Sequence, residues 1–233
     1  MKIAILFSGG KDSTFTLYYY LQQGWDVKCL ITLCSVNESS YMFHTPNIDI
    51  AKVQSKALGI PIIEQKTEGE KEKELEDLKK AFVAAKKKYH IEGVAVGALY
   101  SDYQAERVNR ICEELKLKCY TPLWHKNQEL LLKEMVDCGF EIVIQAIAGE
   151  GLSKKWLGRR IDCNAIEDLV KLQQKLGLHP AGEGGEYESL VLDGPMFHQK
   201  IVIEKSSIIM ENECTGRLVI EKVKLEEKNK INK

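Results

Sequence analysis

The sequence lacks the marks of several protein classes. Its 233 residues contain no apolar stretch near the roughly 20 residues that span a membrane. The formal net charge is −1, so no overall field gathers nucleic acid, and stable nucleic-acid binding is not expected. The start, MKIAILFSGG, turns polar too soon for a signal peptide and is expected to be a first strand. We therefore expect a cytoplasmic protein without membrane association.

Paired cysteine motifs are also missing. The seven cysteines form no C-x-x-C pair, and an odd, scattered set is typical of reduced thiols in the cytosol. Each is expected to be a small buried side chain. The one reservation concerns Cys29 and Cys34, which lie near the end of a predicted strand.

What the sequence does contain is a regular alternation of β-rich and helical segments in its first half. Apolar runs predict strands at 2–7, 26–35, 61–65 and 93–99, and helical spacing predicts helices at 12–24, 47–59, 68–89 and 101–115. Gly24 and Gly59 are expected to end the first two helices. Strands that alternate with helices of this length predict an α/β fold with a parallel sheet covered on both faces.

The pattern changes after about residue 121. A helix (127–139), a strand (140–148), a helix near 164–177 and three β-like runs (189–193, 200–210 and 216–225) predict a smaller α+β domain. We therefore expect an α/β domain at 1–121, a C-terminal domain at 122–225 and a flexible tail at 226–233.

The first loop that could carry chemistry reads SGGKDS, from Ser8 to Ser13. It is not a Walker loop, because Ile5 replaces that motif's first glycine and Asp12 follows the lysine. It follows a strand and opens a helix, where backbone N–H groups and the helix dipole bind anions. Asp12 is expected to cap the helix or to lie near Mg²⁺, since it would repel phosphate. The plainer alternative is a tight Gly-Gly turn with a capping serine.

A second loop, VGALYSDYQAERV at 96–108, follows the fourth predicted strand. Ligands of open α/β sheets lie beyond the carboxyl ends of the strands, so this loop should face the first one. Gly97 permits the close approach of a nucleotide, and Ser101 and Asp102 are expected to cap the next helix. The side chains in reach of a ligand are Tyr100, Tyr103, Gln104 and Arg107. An ordinary capped helix start is the alternative.

The third loop, HPAGEGGEYES at 179–189, is called the acidic loop below. It sets Glu183, Glu186 and Glu188 among three glycines. Three carboxylates there suit metal coordination, general-base chemistry or the binding of a cationic substrate group. A solvated acidic turn is the alternative.

Three isolated features have weaker signals. His44 lies beyond the second strand and is either a base or ribose contact or a surface side chain. Trp124 is expected to pack under a domain junction, and a base-stacking platform is the alternative. Arg159 and Arg160 are either a phosphate or acidic-partner contact or a plain surface pair.

The first loop resembles the PP-loop, SGGxDS, of the N-type ATP pyrophosphatases. The order SGGKDS, YMFHTPN (41–47), VGALYSDYQAERV, PLW (122–124) and HPAGEGGEYESLVLDGPMF (179–197) is similar to the diphthine–ammonia ligase family over nearly the whole chain. The resemblance implies a PP-loop domain of the adenine nucleotide alpha hydrolase-like, Rossmann-like type, followed by a family-specific C-terminal domain.

The resemblance also implies a reaction. ATP, ammonia and diphthine on translation elongation factor 2 would give diphthamide, AMP and pyrophosphate, with ATP and Mg²⁺ as cofactors. A homodimer is one candidate assembly. Lys11, Ser13, Glu183 and Glu186 are the expected catalytic residues, and Asp12 is the expected Mg²⁺ ligand. The expected ATP-binding residues are Ser8, Gly9, Gly10, Lys11, Asp12, Ser13, His44, Gly97, Tyr100, Ser101 and Asp102. The expected substrate-binding residues are Tyr103, Gln104, Arg107, Gly182, Gly185, Tyr187 and Glu188.

Two rival hypotheses remain. One is a tRNA-thiolating PP-loop enzyme, which would use a cysteine pair such as Cys29 and Cys34 together with a basic RNA-binding face. The missing C-x-x-C motif and the near-neutral charge count against it. The other is a nucleotide-binding sensor without turnover, against which the intact SGGKDS argues.

Overall fold

The computed structural model describes residues 1–35, 49–68, 73–99 and 102–228. The chain forms two compact units. The first contains residues 1–55 and 60–125, and the second contains Lys56–Gly59 and the chain from Lys126 onward. No helix in the described ranges is long and apolar enough to cross a membrane.

The first unit contains a parallel five-stranded sheet, as the alternating pattern predicted. Its strands are β1 (Lys2–Leu6), β2 (Asp26–Ser35), β3 (Ile62–Thr67), β4 (Gly93–Val96) and β5 (Lys118–Tyr120). Its helices are α1 (Lys11–Gln22), α2 (Asp49–Leu58), α3 (Lys73–Tyr89) and α4 (Asp102–Glu114). The strand order is β3-β2-β1-β4-β5, with every neighbouring pair parallel. The α/β prediction is confirmed, although β5 was not foreseen.

Continuous apolar strands place the core on both faces of this sheet. Ile3, Ala4 and Ile5 on β1 are completely buried, which requires cover above and below the strand. Helix α3, which helical spacing predicted, contributes Leu78 and Phe82, both fully buried on its apolar face. Helices α1 and α2 stop just before glycines with positive φ, also as predicted.

The second unit contains an antiparallel sheet in the order β7-β6-β9-β8. Its strands are β6 (Glu141–Ala148), β7 (Tyr187–Asp193), β8 (Gln199–Met210) and β9 (Thr215–Glu227). Its helices are α5 (Gln128–Asp137) and α6 (Cys163–Leu176), with a 3₁₀ turn at Lys154–Trp156. The side chains of Asn127 and Asp162 cap α5 and α6 by accepting backbone N–H groups at 3.0 and 2.8 Å.

The C-terminal end is more ordered than the sequence predicted. Strand β9 continues to Glu227, and the Lys228 ammonium donates to the Asp193 carboxylate at 2.7 Å and to the Gly194 carbonyl at 2.9 Å. The expectation of a flexible tail is therefore wrong for residues 226–228. Glu226 and Glu227 are exposed, and they pair with Lys200 and Gln199 at the end of the β8–β9 hairpin. Residues 229–233 lie outside the described part of the chain.

Candidate functional site

The strand order creates a crevice at the carboxyl ends of β1 and β4. The chain runs outward from β1 to β2 and β3, then returns to pair β4 on the other side of β1. Neighbouring loops leave such a reversal point in opposite directions, and open α/β sheets bind ligands there. Two of the three predicted loops start at this point: the PP-loop (residues 8–13) after β1, and the segment from Gly97 after β4.

The PP-loop is held by hydrogen bonds among its own residues. The Ser8 N–H donates to the Ser13 hydroxyl at 3.2 Å, and the two serine hydroxyls lie 3.1 Å apart. The Gly10 carbonyl accepts from the Ser13 hydroxyl at 3.2 Å and from the Thr14 hydroxyl at 2.7 Å. Both serines therefore shape the loop, while their predicted contacts with phosphate stay predictions.

Helix α1 begins without a side-chain cap in the described residues. Its N-cap is Gly10, which has no side chain to offer. The N–H groups of the first helical turn have no carbonyl earlier in the helix to bond, and together with the helix dipole they attract an anion. The prediction that Asp12 caps this helix is wrong, because Asp12 lies inside the first turn.

Asp12 pairs with its neighbour Lys11 instead. The Lys11 ammonium lies 2.8 Å from the Asp12 Oδ2 atom, and the Lys11 side chain is only 5% exposed. The second carboxylate oxygen, Oδ1, is buried without a hydrogen-bond partner in the described structure. A single carboxylate oxygen beside a phosphate loop fits Mg²⁺, which binds one or two carboxylates together with substrate phosphates. No group of three potential metal ligands occurs in the described residues.

Gly97 brings the two loops into direct contact. A Cβ atom on Gly97 would lie 2.7 Å from the Asp12 carbonyl carbon and 2.8 Å from the Ser13 nitrogen. Gly97 was expected to lie against the nucleotide, but the main chain at the start of α1 fills the space beside it. Gly97 sets how closely β4 approaches the start of α1.

Several predicted ligand-binding residues, in the second loop and at His44, fall outside the described residues. His44, Tyr100 and Ser101 lie outside the described residues. Asp102, Tyr103 and Gln104 begin α4, but their side chains lie outside the description as well. Arg107 is half-buried on the same helix. Their ligand contacts stay predictions.

The acidic loop belongs to the second unit, and its Glu186 is turned back into the loop. One Glu186 carboxylate oxygen accepts the His179 N–H and the other accepts the Gly184 N–H, each at 2.8 Å. The His179 ring nitrogen Nδ1 is 3.2 Å from the same carboxylate. Glu186, predicted to be catalytic, therefore braces this loop in the structure.

Other contacts make the acidic loop a well-braced turn rather than a flexible one. The buried Tyr187 hydroxyl donates to the Pro180 carbonyl at 2.7 Å, and the Gln128 side chain accepts the Ala181 N–H at 2.9 Å. A Cβ atom on Gly182 would lie 2.8 Å from the Tyr187 carbonyl oxygen, so the turn closes tightly there. These contacts leave Glu183 half-buried.

Glu188 is the most unusual carboxyl group in the acidic loop. It lies at the start of β7 opposite Ala146, and its Oε2 atom is buried without a hydrogen-bond partner in the described structure. Burial alone raises the pKa of Glu188 to about 7. A carboxyl group whose pKa lies near neutral pH is suited to proton transfer.

The isolated features have local partners. Arg159 stacks on the Trp156 ring at 4.3 Å and pairs with Asp168 at 2.7 Å, while Arg160 pairs with Glu141. Both arginines therefore fit the plainer alternative of a surface pair. Trp124 packs against the core of the first unit, while its predicted place under a domain junction stays a prediction.

Sequence reasoning overlooked Gln54, on α2. Its side chain is fully buried and its amide donates to the Gly9 carbonyl at 2.8 Å. A glutamine in an amphipathic helix gives no sequence signal for such a contact, because its partner lies 45 residues earlier.

Two family models cover nearly the whole chain. The diphthamide synthase N-terminal domain matches residues 1–119, and the diphthamide synthase C-terminal domain matches residues 127–226. Similar curated proteins are named diphthine–ammonia ligase. The Homo sapiens protein is 33% identical over 91% of this chain and 86% of its own length. The Danio rerio protein is 31% identical over 99% of both chains.

A solved structure also resembles this chain. It is described as a predicted subunit of tRNA methyltransferase from Methanocaldococcus jannaschii, with 15% identity, a TM-score of 0.41 and coverage of 84% of this chain and 98% of that one. A likeness this loose carries no functional argument. The two family models and the relatives that match most of the chain show that it belongs to the diphthamide synthase family.

Proposed function

We propose that this protein is an ATP-dependent ligase that amidates diphthine on translation elongation factor 2 with ammonia and releases AMP and pyrophosphate. The observation that carries the proposal is the uncapped start of α1 behind the PP-loop, at the reversal point of a parallel sheet. The relatives named diphthine–ammonia ligase identify the substrate.

The chemistry explains why ATP is needed. A carboxylate is a poor electrophile, because an oxide or hydroxide ion leaves with difficulty. Transfer of AMP to a carboxylate oxygen of diphthine breaks the bond between the α- and β-phosphates and releases pyrophosphate. Ammonia then attacks the carbonyl carbon, the C–O bond to AMP breaks, and the amide forms.

The first unit would bind the nucleotide. The N–H groups at the start of α1 and the Lys11 ammonium would stabilise negative charge on the departing pyrophosphate. Mg²⁺, when bound through Asp12, would supply further positive charge to the phosphates. Because Lys11 and Asp12 form an ion pair, the net attraction for phosphate comes chiefly from the backbone N–H groups and the helix dipole.

The attack of ammonia needs a group that accepts protons, and the acidic loop of the second unit contains candidates for it. Ammonium must lose a proton before its nitrogen can attack, and the adduct must lose another. Glu188 is the best-suited base among the three carboxyl groups of the acidic loop, because burial makes it more basic than an exposed glutamate. Glu186 would keep the turn in shape through its bonds to His179 and Gly184.

The test is AMP formation from ATP labelled in the α-phosphate. Purified protein is mixed with Mg²⁺, ammonium and elongation factor 2 carrying diphthine, and the same factor lacking diphthine is the control. We expect AMP in proportion to the diphthine present and a mass decrease of about 1 Da on the factor as oxygen is replaced by NH. AMP formation no higher than the control would refute the proposal, and tight ATP binding alone would favour the sensor.

The thiolation hypothesis receives no support from the cysteines. Cys29 and Cys34 are five residues apart on β2, which corresponds to roughly 16 Å in an extended strand. Cys29 is completely buried, and burial raises the pKa of its thiol to about 12. Neither fact suits a persulfide carrier. AMP formation by a variant with both cysteines replaced by alanine should equal that of the natural protein.

Two finer points belong to the same proposal. The reaction takes place in the cytoplasm, where reduced cysteines are the rule. A homodimer stays a prediction, which sedimentation equilibrium of the purified protein tests directly.

A further inference from the structure

Gln54 is a buried polar side chain that donates a hydrogen bond to the PP-loop. Its side chain is 0% exposed on α2, and its Nε2 atom lies 2.8 Å from the Gly9 carbonyl oxygen. Burying a side-chain amide costs free energy unless it is hydrogen-bonded, so an apolar residue would serve helix packing better. The hydrogen bond to the Gly9 carbonyl explains the glutamine at this position, which helix packing alone does not.

Gly9 is shaped to receive this side chain. Its φ is +82°, a conformation that glycine adopts readily. A Cβ atom on Gly9 would lie 2.2 Å from the Gln54 Oε1 atom. The amide of Gln54 therefore occupies the position that any other residue would need for its side chain, and α2 supports one side of the loop.

One bond to the Gly9 carbonyl fixes an entire peptide plane. The carbonyl of Gly9 and the N–H of Gly10 belong to the same planar unit and point in opposite directions. With the carbonyl held by Gln54, the Gly10 N–H faces the Ser8 hydroxyl at 3.3 Å. Without the donor, this carbonyl could turn toward the anion site, where its negative oxygen would repel phosphate.

We propose that Gln54 is a positioning residue for the pyrophosphate part of ATP. It keeps the Gly9 carbonyl turned away from the bound anion and thereby sets the direction of the neighbouring N–H. The inference rests on the proposed function only in taking the PP-loop to hold the β- and γ-phosphates.

The distinguishing measurement compares ligands that do and do not reach the loop. Pyrophosphate and ATP carry the phosphates that the loop would hold, whereas AMP lacks them. Calorimetric titrations with ATP, inorganic pyrophosphate and AMP, each with Mg²⁺, are made on the whole protein and on Gln54→Leu. We expect about a fivefold to hundredfold loss of affinity for ATP and pyrophosphate, the effect of one unsatisfied buried carbonyl, and less than twofold for AMP.

Ser55→Ala is the matched control. Ser55 is the next residue on α2, is also buried, and donates its hydroxyl to the Ile60 carbonyl at 2.6 Å, away from the loop. Losing that bond should lower the thermal midpoint without changing any of the three affinities. Gln54→Met, which keeps the side-chain volume, is the second variant.

The results separate the possible roles. Equal losses for AMP and ATP, or unchanged affinity for ATP and pyrophosphate, would overturn the inference. Failure of both Gln54 variants to fold where Ser55→Ala folds would make the role purely structural and also overturn it. Because these titrations need no elongation factor, a failure of the amidation assay leaves their outcome standing.

Discussion

The carboxyl group of Glu188 should make this protein less stable as the pH rises, and the substitution Glu188→Gln should remove that dependence. The side chain is largely buried, its Oε2 atom lacks a partner in the described structure, and burial raises its pKa to about 7 from an ordinary 4.5. The amide of glutamine has nearly the same size and stays uncharged at every pH in question. The pair therefore isolates the cost of burying the charge.

The size and sign of the effect follow from the two pKa values. At 1.36 kcal/mol per pH unit, the difference between 4.5 and about 7 corresponds to about 3 kcal/mol. Below pH 4.5 the group is protonated in both states and costs nothing. Between pH 4.5 and about 7 the unfolded chain gives up its proton first, so stability falls, and above about pH 7 the loss is complete.

The assay is urea unfolding from pH 4.5 to 8.5, followed by the fluorescence of Trp156 in the same unit as Glu188. Because a chain of two units need not unfold in one step, Trp25 and Trp124 are replaced by phenylalanine to leave a single reporter. The free energy of unfolding of the protein with Glu188, relative to that of the Glu188→Gln variant, should fall by about 3 kcal/mol across this range. Glu150→Gln, at an exposed position, is the control.

Parallel stability curves for the natural residue and Glu188→Gln would refute the reasoning. A protein with Glu188 that becomes more stable than the Glu188→Gln variant as the pH rises would also refute it. Either result would mean that the carboxylate finds compensation on ionising, and the case for Glu188 as a base would then fall with it.

Three further predictions concern other positions. Gly97→Ala should destabilise the protein by about 1–3 kcal/mol and weaken ATP binding at least tenfold, since its Cβ meets main chain at 2.7 Å; urea unfolding and calorimetry measure both. Glu186→Ala removes two hydrogen bonds of the acidic loop and should cost about 2 kcal/mol, lowering kcat/KM for the elongation factor while the Kd for ATP holds. Asn127→Ala removes the α5 cap and should cost about 1 kcal/mol in unfolding assays without changing AMP formation.

The sequence predicted the elements whose residues show their own periodicity. Strand β1 is a continuous apolar run, and the buried face of α3 repeats at helical spacing, so both could be found locally. Strand β5 could not, because its three residues, Lys118–Tyr120, are too few to show any period. It exists because β4 offers an unpaired edge.

The candidate site divides in a similar way. The glycines and hydroxyls of SGGKDS are a local signal, and the structure places them where that signal predicted, from the end of β1 into the first turn of α1. Glu186 was expected to be catalytic and Glu188 to bind substrate, but two carboxylates on one short loop give no local signal of their burial or of their hydrogen-bond partners. Only folding gives Glu186 two N–H donors and Glu188 a buried environment.

The close contact at Gly97 has a consequence for how such a protein can diverge. A side chain at position 97 would need space that the backbone of Asp12 and Ser13 already fills, although these residues belong to motifs far apart in the chain. A larger residue at 97 is tolerable only with a compensating shift at the start of α1, so the two motifs should be strongly epistatic. Mutational libraries that vary one site at a time would score position 97 as fixed, and only paired libraries would find the compatible combinations.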